Sequence, residues 1–152
     1  MTRNNTHLTV RIASIEDASK LSPMLSYIEN QPISPTQVMQ RVCAAHAAET
    51  PFIAEQGSKI VGFAFVRLVP TISSDQPYAE ITELYVEDET KRGTISKALT
   101  KKIEALAREK GATHLVLLTG LRNIPTKNLY RALGYRDYAL ALRKTLRIRN
   151  PG

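Results

Sequence analysis

Apolar and polar positions along the chain repeat at two periods, and each change of period marks a change of element. Residues 8–13, LTVRIA, alternate and are rich in β-branched side chains, which predicts a first strand. Ser14-Ile15-Glu16-Asp17 offers a capping serine followed by acids, a helix start, and Ala18, Leu21, Leu25 and Ile28 continue at helical spacing. Pro23 should kink or split that helix, because it has no N–H to donate and its ring meets the carbonyl one turn back. Ser34-Pro35 opens a second helix with Val38, Val42 and Ala45 as its buried stripe. Strand-like runs at 51–55 and 60–68 flank Gln56-Gly57-Ser58-Lys59, a hairpin signal. Residues 69–77 read as a polar, proline-bounded loop, and 78–86 as a third run of strand residues.

Further on, Ile95, Leu99, Ile103 and Leu106 form the apolar stripe of a longer helix that carries lysines on its other face and ends near Gly111. Residues 114–118, HLVLL, are continuously apolar, the pattern of a strand covered on both faces. A short helix over 124–133 and a final strand over 135–146 complete the order β-α-α-β-β-β-α-β-α-β. That order indicates an α/β fold, one sheet with helices on both faces. No repeat or internal linker breaks it, so a single domain over 1–152 is expected, with a core at about 8–145 and a basic tail over 146–152.

Composition narrows the class. Hydrophobic residues at 43% and charged residues at 23% are ordinary for a soluble globular protein. No apolar run approaches the ~20 residues that span a bilayer, and the polar start MTRNNTH does not read as a signal peptide. The lone Cys43 excludes an internal disulfide and a cysteine-based metal cluster, so no metal is expected and a reducing cytoplasm fits. Lys and Arg outnumber Asp and Glu by 21 to 14, a net +7 that suits nucleic acid, a membrane surface or a small anionic ligand, or is simply a solvated basic face. Part of the excess lies in the tail (Arg143, Lys144, Arg147, Arg149) and part in Lys91, Arg92, Lys97, Lys101 and Lys102. No basic motif with interleaved aromatics accompanies it, which argues against nucleic acid.

Three stretches carry candidate chemistry. ETKRGTISKALTKKI, 89–103, joins a strand to a helix, where unpaired amides and the helix dipole favour phosphate. Every helix has such a start, and only Gly93 is a glycine, so on its own the stretch reads more readily as an ordinary capped helix. In GLRNIPTKNLYRALGY, 120–135, Asn123 and Tyr130 fall on one helical face, although a buried tyrosine with a satisfied hydroxyl is the commoner fate. Glu80 and Glu83 have opposite parity in the strand YAEITELYV and should point to opposite faces; an inward carboxylate is either a general base or a salt-bridged structural group.

Taken together these segments resemble the GNAT superfamily of acetyl-CoA-dependent N-acetyltransferases, over about 8–145. LTVRIASIEDASKL resembles the opening strand and helix, ELYVEDETKRGTISKAL the pyrophosphate-binding region, and NIPTKNLYRALGY the late Asn…Tyr…Gly-aromatic segment. The last is the most specific. The resemblance implies an acyl-CoA N-acyltransferase fold: a single mixed, mostly antiparallel central sheet with splayed parallel strands. It implies acetyl-CoA as co-substrate and an amine acceptor, with no membrane partner, and it leaves room for a homodimer.

By position, the family loop falls on Lys91-Arg92-Gly93-Thr94-Ile95-Ser96, with Lys97 following. Lys91, Thr94 and Ser96 each depart from the pattern, so Cβ atoms at 94 and 96 could hinder the pyrophosphate and the two hydroxyls could bond it or cap the helix. Leu84, Tyr85 and Val86 would offer backbone groups to the pantetheine and thioester, with a bulge there opening the splay. Asn123 would touch the cofactor, Tyr130 would protonate the leaving thiolate, and Glu80, with Glu83 as second choice, would act as base, directly or through a water. The implied reaction is direct attack by the amine, with no acyl-enzyme on Cys43. The alternative is a degenerate member with weakened acetyl-CoA binding that serves as a sensing or interaction module. The acceptor pocket would come from about 23–36 and 69–77, neither of which carries an acidic cluster.

Overall fold

The computed structural model describes residues 7–45 and 48–147, in two compact units, Met1–Leu117 and Leu118–Gly152. The first unit is built on a five-stranded sheet in the order β1-β2-β3-β4-β5. Strands β1 (Leu8–Ile12), β2 (Thr50–Gln56), β3 (Lys59–Val69) and β4 (Tyr78–Val86) run antiparallel, and β5 (Leu115–Leu117) lies parallel to β4. Helices cover both faces. On one, α1 (Ala18–Glu29) and α2 (Pro35–Ala45) pack Leu21, Val38 and Val42 onto Ile53, Ile60 and Phe63. On the other, α3 (Arg92–Glu109) packs Ile95, Leu99 and Ile103 onto Ala64, Val66, Ala79, Ile81 and Val86.

Local chemistry explains most boundaries. Ser34 Oγ accepts the Gln37 amide at 3.2 Å while Gln37 Oε1 accepts the Ser34 amide at 2.8 Å, a capping box that starts α2 where the Ser-Pro pair predicts. The side chain of Ala45 lies outside the described part, as do Arg149 and the tail beyond 147. The first helix begins later than expected, after a 3₁₀ turn over Ile15–Asp17, and Asp17 accepts the Ser14 amide at 2.8 Å. Arg11 on β1 holds Asp17 through two bonds of 2.8 and 2.9 Å and reaches Glu55 on β2 at 2.8 Å. That guanidinium keeps the Asp17 carboxyl below its usual range and ties the start of α1 to the sheet. Pro23 does not split α1, which runs through it; the ring is on the exposed side. The turn of the β2–β3 hairpin uses Gly57 at φ +61.

Two expectations about strands fail. The pattern of HLVLL predicts cover on both faces, yet among the described residues β5 is an edge strand, only 115–117 are extended, and all three are half-buried. Apolar continuity reports hydrophobicity, not the number of neighbours a strand finds. The final strand over 135–146 is absent: 135–147 has no regular structure and Tyr138, Leu140 and Leu142 are exposed. Its alternation is real, but a strand exists only where a partner edge accepts its ladder.

The second unit contains α4 (Ile124–Ala132), where a short helix is expected. Asn123 is its N-cap, accepting the Thr126 amide at 3.3 Å. At the other end Gly134, at φ +95, donates to Arg131 and Tyr135 donates to Tyr130, the double bond of a Schellman cap. Tyr130 and Tyr135 stack edge-to-face with ring centres 5.3 Å apart, the apolar contact that accompanies such caps. The Tyr…Gly-Tyr spacing of the late motif is thus a helix terminator that holds Tyr130 in place.

Candidate functional site

Strand β4 organises the site in the first unit. Its pairing with β5 covers only Ala79, Glu80 and Ile81, so residues 82–86 continue without a parallel neighbour. This is the splay expected of the fold. The register against β3 also slips there, Phe65 facing Glu83 and Val66 facing Ile81, which leaves Thr82 as an inserted residue. The bulge therefore lies at Thr82, two residues before the Leu84–Val86 stretch where it was expected.

The inserted residue corrects the reading of the two glutamates. Ala79 and Ile81 face α3, and after the bulge it is Leu84 and Val86 that do so. Tyr85 packs with Phe63 and Phe65 on the α1/α2 face. Glu80 and Glu83 therefore share that α1/α2 face instead of pointing to opposite sides. Their environments differ. Glu80 lies in register with Arg67 and is bound by it at 2.7 and 2.9 Å, the structural ion pair. Glu83 is half-buried opposite Phe65, and desolvation raises its carboxyl above the usual range, with Glu29 and Glu49 adding to the effect. The Thr82 hydroxyl donates to Glu49, which brings that carboxylate to the bulge. Tyr85 stands beside Phe63 with ring centres 5.6 Å apart, and burial raises its phenol.

Glu29 and Glu49 were not singled out from the sequence. Glu29 ends α1 and Glu49 precedes β2, and only the fold sets both near a residue of β4. Neither acceptor segment carries an acidic cluster by itself; it is the fold that brings the charges of Glu29 and Glu49 to bear on Glu83. Among the described residues no group of three or more His, Cys, Asp or Glu could hold a metal ion.

Beyond Val86 the chain turns into a 3₁₀ turn over Glu89–Lys91 and then α3. Asp88 caps the turn through the Thr90 amide at 3.0 Å, and bonds from Thr90 hold its carboxyl below the usual range. The amides of Lys91 and Arg92 bond back to Asp88 and Glu89. Lys91, the N-cap of α3, makes no side-chain cap, so the first turn presents the amides of Gly93 and Thr94. Thr94 is exposed; Ser96 is fully buried, its hydroxyl without a hydrogen-bond partner. Neither hydroxyl caps the helix, and that of Ser96 is turned into the core.

Gly62 sets how close this helix start comes to the sheet. A Cβ there would lie 2.8 Å from the Tyr85 carbonyl oxygen and 3.0 Å from Ile95 Cγ2. The isolated glycine in an apolar strand is the one signal that could have marked this close approach in the sequence. Asn123 and Tyr130 both belong to α4, the first as its cap and the second buried. Cys43 is exposed on α2. No described helix is long and apolar enough to cross a membrane.

Comparison with known proteins agrees with this architecture. N-acetyltransferase 8 of Homo sapiens is 27% identical over 85 residues, 56% of this chain and 37% of that protein. N-acetyltransferase 8 of Mus musculus is 30% identical over 84 residues, 55% of this chain and 37% of its own length. The match thus spans less than half of the curated relatives' length. Among solved structures, a Trypanosoma brucei acetyltransferase superposes with a TM-score of 0.79 at 23% identity, over 92% of this chain and 100% of that one. The ribosomal-protein-alanine N-acetyltransferase from Brucella melitensis biovar Abortus 2308 gives 0.75 at 17% identity, over 91% and 99%. At such identities these structures share the fold, the acyl-CoA N-acyltransferase fold. Residues 16–135 match the Acetyltransferase (GNAT) family, and with the splayed β4–β5 pair and the open start of α3 they place this chain within it.

Proposed function

We propose that the chain, residues 1–152 acting as one domain, is an N-acetyltransferase that uses acetyl-CoA to acetylate a primary amine of a small molecule or peptide by direct attack. One observation carries the reading: residues 82–86 of β4 run on past their last β5 partner and lead to an α3 start that no side chain caps. Bound acetyl-CoA would supply an activated acyl thioester. Toward its pyrophosphate the chain offers the amides of Gly93 and Thr94 and the charges of Lys91 and Arg92, with Lys97 one turn further on. Ile95 and Ser96 offer it no side chain, since both are buried, and their amides lie inside the helix ladder. Backbone groups of Leu84, Tyr85 and Val86, freed from a parallel ladder, suit the pantetheine and the thioester oxygen.

The amine arrives as an ammonium ion and must lose a proton before it can attack. Glu29, Glu49 and Glu83 attract the cation, and Glu83, whose carboxyl is raised toward the working pH, takes the proton directly or through a water. Glu80 is the weaker candidate because Arg67 holds it. Asn123 spends its side-chain oxygen on the α4 cap and keeps its amide N–H groups for the cofactor. By its place in the motif, Tyr130 is the acid that returns a proton to the leaving thiolate. No acyl group passes through Cys43.

Calorimetric titration with acetyl-CoA, followed by release of free CoA thiol against a panel of amines, tests the reading. Saturable binding is expected, together with thiol release that Tyr130→Phe lowers about 100-fold or more while leaving acetyl-CoA affinity unchanged. An absence of acetyl-CoA binding overturns it.

A further inference from the structure

The charge on α3 is not evenly laid out. Residues 91–110 hold seven basic side chains against two acidic ones, a net +5 of the chain's +7. Around the first turn of the helix the charges nevertheless cancel. Lys59, Lys91 and Arg92 stand against Glu87, Asp88 and Glu89, and Lys59 bridges Glu87 at 3.6 Å. Further along, Arg108 is paired with Glu104 at 3.8 Å. At the end of the helix Glu109 and Lys110 stand side by side and offset each other, which leaves Lys97, Lys101 and Lys102, all exposed and in none of the ion pairs among the described residues. Lys101 and Lys102 are seven and eight residues beyond Thr94, about 10 and 12 Å along the axis. That is too far to touch a phosphate held at the first turn, and near enough for their field to reach it at low salt, where the Debye length is roughly 20–30 Å.

We propose that Lys101 and Lys102 steer acetyl-CoA: with Lys97 they give an otherwise neutral helix start the positive potential that draws in the polyanionic co-substrate. They act on its rate of arrival and are not contacts in the bound state. This rests on the acetyl-CoA reading above. A partly screened surface charge of this kind changes association rates and their salt dependence, and leaves dissociation nearly untouched.

Association and dissociation rates of acetyl-CoA on the immobilised full chain, measured by surface plasmon resonance at about 20 mM and about 500 mM salt, decide the matter. The double variant Lys101→Glu/Lys102→Glu should associate about tenfold more slowly at low salt, dissociate at the parent rate, and converge on the parent at high salt. Lys101→Gln/Lys102→Gln should show a smaller effect in the same direction, which keeps the test open should the charge reversal impair folding. Lys20→Glu/Arg41→Glu makes the same change in net charge on α1 and α2, across the sheet, and should leave association close to parental. Equal slowing by both reversals would mean that only overall charge matters, and would overturn the inference. A change confined to dissociation would make the lysines direct contacts and overturn it too. If the parent chain binds no acetyl-CoA, the reading of the site itself falls; if it binds with rates that neither salt nor reversal alters, only the steering falls.

Discussion

Ser96 is a hydroxyl with nothing to bond, fully buried in the second turn of α3 one residue after Ile95. Removing such a group relieves its desolvation and improves helix propensity, so Ser96→Ala should raise stability by about 1 kcal/mol in a thermal melt. Acetyl-CoA affinity should stay unchanged, and a drop in affinity would show that the hydroxyl serves the ligand after all. Of the two added Cβ positions in the family loop, Thr94 faces solvent and Ser96 does not, so Thr94→Gly is the change expected to tighten binding. Glu83 couples stability to function with the opposite sign. Its carboxyl is raised above 4.5 in the folded chain, which therefore holds the proton more tightly than the unfolded chain does. The ionised form opposes folding above the raised value, and the opposition fades as pH falls toward the unfolded one. Glu83→Gln should accordingly melt higher than the parent at about pH 8, lose that advantage by about pH 4, and transfer acetyl at least ~100-fold more slowly. Parental turnover in that variant would remove Glu83 from the base role. The parent's rate should also fall with acidification at a pH above the ordinary carboxylate range.

At the scale of elements, β4 and α3 are fitted together through Gly62. Gly62→Ala forces a methyl against the Tyr85 carbonyl and Ile95, an overpacking that costs about 1–3 kcal/mol. Because Ile95 is in the first turn of α3, the strain should also weaken acetyl-CoA binding; calorimetry and melting on one sample measure both. Lost stability with parental affinity would mean that the helix start does not depend on this contact. The bulge at Thr82 is the other element-scale device. It ends the alternation at Ile81 and restarts it out of phase, turning Glu83 and Tyr85 toward Phe65 and Phe63. The Schellman cap at Gly134-Tyr135 plays the corresponding part in the second unit, closing α4 with Tyr130 stacked on Tyr135.

At the scale of the whole molecule, the sheet of the first unit separates two kinds of electrostatic surface. The α3 side carries the unpaired lysines, suited to a polyanion, while Glu29, Glu49 and Glu83 are on the side of α1 and α2, suited to an ammonium ion. The salt-dependent capture inferred above belongs to this scale, since it depends on where charge sits and not on any one contact. Elements formed by local rules were legible from the residues alone: the Ser34-Pro35 start of α2, the Gly57 hairpin, the 78–86 strand, the stripe of α3 and the helix before Gly134. So was the family, because its late motif is a local helix-and-cap pattern and its loop follows directly on the strand. The tertiary structure alone decided which face Glu83 occupies, because one inserted residue reverses every later side chain and leaves no mark in composition or periodicity. It alone brought Glu29 and Glu49 to bear on Glu83, buried Ser96 while leaving Thr94 in solvent, and left 135–147 without a strand. Each of these outcomes depends on partners distant in the chain, and a ladder, an ion pair or a buried face forms only when the fold supplies the other half.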